Sequence, residues 1–124
     1  MSIEKPEIDF PEGQPPADLE IKEIWEGDGV AAKAGDFVKV HYVGVAFSTG
    51  EEFDASWNRG NPLEFQLGAG QVITGWDKGI QGMKVGGRRR LTIPAHLAYG
   101  ERGAGGGVIA PGETLIFVCD LIGV

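Results

Sequence analysis

Cysteine, histidine and excess positive charge are scarce in this chain, and each shortage removes a class of function. A single cysteine, Cys119, leaves no intramolecular disulfide and no multi-cysteine metal site. The two histidines, His41 and His96, lie far apart without carboxylate or cysteine spacing that resembles a metal site, so a structural or surface role is expected for both. With 11 Lys and Arg against 18 Asp and Glu, the net charge is -7, which argues against nucleic acid as the main partner because phosphate neutralisation needs a basic face. No apolar run approaches the roughly 18 residues of a membrane span. The start, Met1-Ser2-Ile3-Glu4-Lys5-Pro6, lacks the basic and apolar regions of a signal peptide. A cytoplasmic location without membrane contact is the expectation.

What is present suits one modest domain, since 124 residues suffice for a single core and 21 glycines mark many turns. Residues 1–18 hold Pro6, Pro11, Pro15 and Pro16, and their acids face Lys5 alone. Proline and charge together predict an extended, flexible arm, with docking of Ile8 and Phe10 on the domain as the alternative. Residues 19–124 then form the domain.

Its organising stretch is residues 71–82, the one convincing helical segment. Val72, Ile73, Trp76 and Ile80 recur near helical spacing, Thr74 is a candidate cap and Gly82 a candidate stop. So short a helix is unstable alone and needs a sheet to hold it, with Trp76 as the bulk of the plug. Gly75 and Gly79 inside it each cost about 1 kcal/mol against alanine, which suggests close packing. Strands are expected at residues 19–25, 36–47, 63–67, 88–94 and 114–123. In the second of these Val38, Val40, Tyr42 and Gly44 share a face, and in the last Leu115, Phe117, Cys119 and Leu121 point inward. Residues 95–113 read as a long glycine-rich loop. The expected fold is α+β: an antiparallel sheet of about five strands curled around one short helix.

Catalytic motifs are few. Cys119 on an inward strand face reads as core. Gly68-Ala69-Gly70 and residues 103–107 lack the following Lys-Ser/Thr of a phosphate loop. Arg88-Arg89-Arg90 reads as solvated surface with one ion pair. What remains is a set of aromatics from different segments: Tyr42, Phe53, Phe65, Trp76, Tyr99 and Phe117. Most of these fit a plain core. Asp54 directly after Phe53, and Tyr99 in a loop, fit it less well, because loops often carry function.

These residues resemble the FKBP-type peptidyl-prolyl cis-trans isomerases, the immunophilins that bind tacrolimus and rapamycin. The matching motifs are His41-Tyr42-Val43-Gly44, Phe53-Asp54-Ala55-Ser56, Val72-Ile73-Thr74-Gly75-Trp76, Ala98-Tyr99-Gly100 and Thr114-Leu115-Ile116-Phe117, in family order across residues 19–124. The resemblance implies the FKBP-like fold and a proline pocket lined by Tyr42, Phe53, Asp54, Val72, Ile73, Trp76, Tyr99 and Phe117. Trp76 would be its floor, and Arg59 would pair with Asp54 behind it. Leu63 stands where many relatives have an aromatic wall, Gln71 replaces a common glutamate, and Val108 and Ile109 are the wall residues of a loop one residue longer than usual.

The resemblance also implies a role for each group. Trp76, Phe117, Ile73, Asp54 and Tyr99 are the catalytic set: apolar burial of the prolyl ring, a backbone donor, a negative field and a phenolic donor. No metal and no cofactor are expected. The implied partners are proline-containing peptides, unfolded or partly folded proteins, and macrolides such as tacrolimus and rapamycin, bound by a monomer. The rival expectations are a pocket that binds without catalysing, and a β domain whose aromatics are all core.

Overall fold

The computed structural model describes residues 5, 6, 8, 13–103 and 109–124. In chain order it has strands β1 (Glu20–Trp25), β2 (Phe37–Ala46), β3 (Glu52–Ala55) and β4 (Leu63–Gln66), helix α1 (Thr74–Gly79), then β5 (Arg88–Ile93) and β6 (Leu115–Gly123). Short 3-10 turns occupy Ser56–Arg59, Ala95–Leu97 and Gly100–Arg102. Phe10 of the arm and Val108 of the long loop lie outside the described residues.

The strands form one antiparallel sheet in the order β1-β5-β6-β2-β3, with β4 also on β2. β2 serves two partners along one edge because it is 10 residues long: Phe37–Val40 pair with β4, and Val43–Val45 with β3. The sheet has six strands rather than about five. The addition is β3, whose four residues are too few to display an alternation in sequence.

The helix is shorter than residues 71–82. It runs Thr74–Gly79, and Ile73, not Thr74, holds the capping position, with no side-chain cap bond. The Ile73 carbonyl accepts from Trp76 N at 3.0 Å and Asp77 N at 3.3 Å. Asp77 in turn fixes the loop ahead of the helix, accepting from Gly68 N at 2.9 Å and Gly70 N at 3.0 Å. A Cβ on Gly75 would lie 2.5 Å from Ile93, and one on Gly79 2.8 Å from Leu91. Their lack of side chains sets the helix backbone directly on β5, so the two costly glycines are packing residues.

The core fills the space between α1 and the sheet, with Val38, Val40, Leu67, Ile80, Met83, Leu91, Ile93, Leu115 and Leu121 buried in one cluster. Cys119 belongs to it, and burial pushes its thiol well above the ordinary range, as suits a small core residue. In the arginine run, alternation sends Arg88 to Asp120 on one face and Arg89 to Glu23 on the other, giving two ion pairs where one was expected.

Candidate active site

Between α1, β2, β3, β6 and the loop carrying Tyr99 the sheet leaves an open cup of about 170 Å³, lined by Tyr42, Phe53, Asp54, Leu63, Gln71, Val72, Ile73, Trp76, Tyr99 and Phe117. Trp76 is almost wholly buried beneath it, yet it meets the opening. Its ring is crossed edge-to-face by Tyr42 at 4.9 Å and Phe117 at 5.2 Å, with Phe65 at 5.8 Å. Phe53 meets Phe117 at 5.6 Å and 88°. Edge-to-face aromatic contacts of this kind are worth about 0.5–1.5 kcal/mol each beyond the area they bury.

Two backbone details make the cup possible. In the β2–β3 ladder Gly44 pairs with Asp54 and Val45 with Glu52, so Phe53 is the extra residue of a β-bulge. A regular strand sends consecutive side chains to opposite faces; the bulge lets Phe53 and Asp54 both line the cup. The other detail is Gly44, where a Cβ would come within 2.7 Å of both Phe53 and Phe117. Only a bare backbone there lets the two rings meet.

One wall is polar. The Tyr42 hydroxyl donates to Asp54 Oδ2, while Arg59 donates to Asp54 Oδ1 at 2.7 Å and to the Tyr42 hydroxyl at 2.8 Å. Partial burial opposes the charge on Asp54, but the bonds from Tyr42 and Arg59 and the arginine's charge outweigh it, and the carboxyl is held below its usual range. Burial, then the bond to Asp54, raises the Tyr42 phenol. Tyr99 stands at the rim, 40% exposed, its phenol raised by burial and by the Asp54 charge. The phenols therefore stay protonated, and Asp54 stays ionised, at neutral pH.

Comparison with known proteins gives this arrangement a family. The profile described as FKBP-type peptidyl-prolyl cis-trans isomerase matches residues 29–122. The chain belongs to that family. It is 82% identical to the FK506-binding protein of Streptomyces anulatus across the whole of both chains. It is 52% identical to peptidyl-prolyl cis-trans isomerase FPR2 of Saccharomyces cerevisiae over 77% of this chain and 70% of the yeast protein. Among solved structures, AtFKBP13 superposes with a TM-score of 0.79 at 44% identity, covering 88% of this chain and 94% of its own. Peptidyl-prolyl cis-trans isomerisation is accordingly the activity of this enzyme.

The residues singled out from sequence fall into three groups in this family member. Tyr42, Phe53, Asp54, Leu63, Gln71, Val72, Ile73, Trp76, Tyr99 and Phe117 come together at the cup. Arg59 stands behind it, holding Asp54 and Tyr42. Ile109, 6% exposed, is packed in the core cluster and is not among the lining residues. Gly44 was missed as a site residue; its signal was its place two residues after Tyr42 on the same strand face. Ser56 was missed as a support. Fully buried, its hydroxyl accepts from Tyr42 N at 2.7 Å and lies 2.8 Å from His41 Nδ1, fixing the backbone that carries Tyr42.

Proposed function

We propose that this cup is where the X-Pro bond turns, and that it acts by removing water and holding a twisted amide. Rotation has a barrier of about 20 kcal/mol because amide resonance must be broken. Water on the carbonyl oxygen stabilises the planar, charge-separated amide, so an apolar cup that sheds it favours the twisted form. Trp76, Phe53, Val72, Ile73 and Phe117 bury the prolyl ring, worth about 2 kcal/mol by area. The Ile73 N–H, in the capping position of α1, has no hydrogen-bond partner among the described residues and is placed to hold a substrate carbonyl. Tyr99 offers a second donor from the rim. Asp54, ionised and oriented by Tyr42 and Arg59, supplies a fixed negative field on one side.

The observation that carries this reading is the indole of Trp76 lying at the base of an opening rather than sealed in the core. The substrates are proline-containing peptides and unfolded or partly folded proteins, met by a cytoplasmic monomer. The same cup takes macrolides of the tacrolimus and rapamycin type. Leu63, in place of an aromatic wall, weakens the hold on such ligands without closing the cup.

The test pairs NMR exchange on a short Ala-Leu-Pro-Phe peptide with tryptophan fluorescence during tacrolimus titration. Accelerated exchange that tacrolimus abolishes is expected. Binding without acceleration would replace catalysis at this cup with simple retention, and no fluorescence change would remove the cup from both roles.

A further inference from the structure

The face of the sheet turned away from α1 has a closed apolar centre; the turn Ser56–Arg59 meets this face at His41, where Trp57 stacks, and no strand or α-helix among the described residues lies over the rest. Alternation from the helix-facing residues places Val43, Val45, Ile116 and Val118 there. They are 2%, 4%, 0% and 3% exposed, yet none belongs to the core cluster under α1. β6 carries Leu115-Ile116-Phe117-Val118-Cys119 without a polar break, and an unbroken apolar run is the mark of a strand buried on both faces.

The described parts of the amino-terminal arm lie at the margins of this face. Gln14 and Pro16 adjoin Glu20, Lys22, Phe47, Arg90 and Thr92 on the β1–β5 side. At the β3 end the Lys5 ammonium pairs with Glu52 at 2.9 Å and donates to Asn58 at 3.1 Å. Pro6, Ile8 and Pro16 are half-buried. The chemistry is complementary as well. Prolines present carbon without N–H donors that need a ladder partner. Five acids against one lysine in residues 1–18 suit a face that displays Lys22 and Arg90.

We propose that the amino-terminal arm is the partner of this face: an intramolecular strap, pinned by Lys5 to Glu52 and Asn58 and seated by Ile8, that seals the back of the strands whose front carries Tyr42 and Phe117. The strap is independent of how the cup works. It makes Pro6, Ile8 and Pro16 part of a second apolar layer of the domain, and it denies the face to a second copy of the chain.

The test keeps the full chain. Glu4→Cys, next to the Lys5 pin and leaving Ile8 in place, takes a nitroxide label cleanly because Cys119 is fully buried. The label is expected to broaden the amide signals of Val43, Val45, Ile116 and Val118 more strongly than those of Leu67 and Ile80 under the helix. Undiminished signals on the back face would overturn the strap. So would broadening that persists when labelled chain is mixed with isotopically enriched, unlabelled chain, since the face would then belong to a second copy. Independently, Lys5→Glu is expected to speed amide exchange in β2 and β6 at least tenfold, and unchanged exchange would overturn the strap as well.

Discussion

On the helix side of the sheet Asp54 meets Arg59 at the mouth of the cup, with side chains 42% and 51% exposed; on the opposite side Asp120 meets Arg88, at 3% and 11%. Each pair sits with aromatic company. Arg59 lies 5.6 Å from the Tyr42 ring, and Arg88 lies 4.3 Å from that of Trp25. The indoles of Trp76 and Trp57 each bury an N–H without a partner among the described residues, and Trp57 stacks on His41 at 4.2 Å. Yet the carboxyls shift in opposite directions. Asp54 is held down by its hydrogen bonds, whereas burial raises Asp120 despite the Arg88 bonds and charge. The same chemical pair keeps its carboxylate readily ionised where water reaches it and has its carboxyl raised where water does not. His41, Ser56 and Asp120 show the same lesson: they are a serine–histidine–acid grouping, but the serine is fully buried and already bonded to Tyr42 N, so no substrate can reach it.

The largest expected effect tests this contrast directly. Arg88→Met strands a buried carboxylate and is expected to cost about 3 kcal/mol of stability, with turnover kept at permissive temperature. Arg59→Met, at an exposed pair, is expected to cost under about 1 kcal/mol of stability but to lower kcat/KM. Thermal melts and peptide exchange on both variants check the pairing, and equal stability losses would break it. Next comes Gly44→Ala, which forces Phe53 and Phe117 apart. A stability loss of about 1–3 kcal/mol is expected, together with a fall in kcat/KM exceeding that of any rim variant.

Tyr99→Phe is smaller, about 1 kcal/mol or roughly fivefold in kcat/KM, as for one hydrogen bond of modest net value. Complete loss of turnover would make the phenol a chemical participant instead. The carboxyl titrations sharpen the comparison further. Asp54 binds its proton less readily folded than unfolded, so its contribution is present above the ordinary carboxylate range and is lost as pH falls through its lowered pKa. Asp120 is reversed: the folded state binds more protons, so its contribution falls as pH rises from the ordinary value through the raised one. Carboxyl carbon shifts should place the two on opposite sides of the ordinary aspartate value of 3.8. The smallest expected effect is none. The rate should be flat from about pH 6 to 8 and indifferent to EDTA, because histidine takes no part in the cup and burial lowers the His41 pKa.

Much of the helix side was legible in the chain. Alternation in β2 and β6, and the spacing around Trp76, announced which side chains would meet, since periodicity reports directly on which face is buried. The opposite face was not. Val43, Val45, Ile116 and Val118 occupy the positions that alternation assigns to solvent, and only their burial shows a second covered surface. Ile109 likewise went to the core rather than the wall, because the path of a glycine-rich loop depends on turns that no periodicity encodes.

The sequence by itself determined the aromatic inventory and the strand set that must close on one short helix, because composition and period act locally. Only the tertiary structure decided that Phe53 and Asp54, neighbours that a regular strand would send to opposite faces, line the same cup. A bulge is a mismatch between two strands far apart in sequence, and neither strand contains it alone.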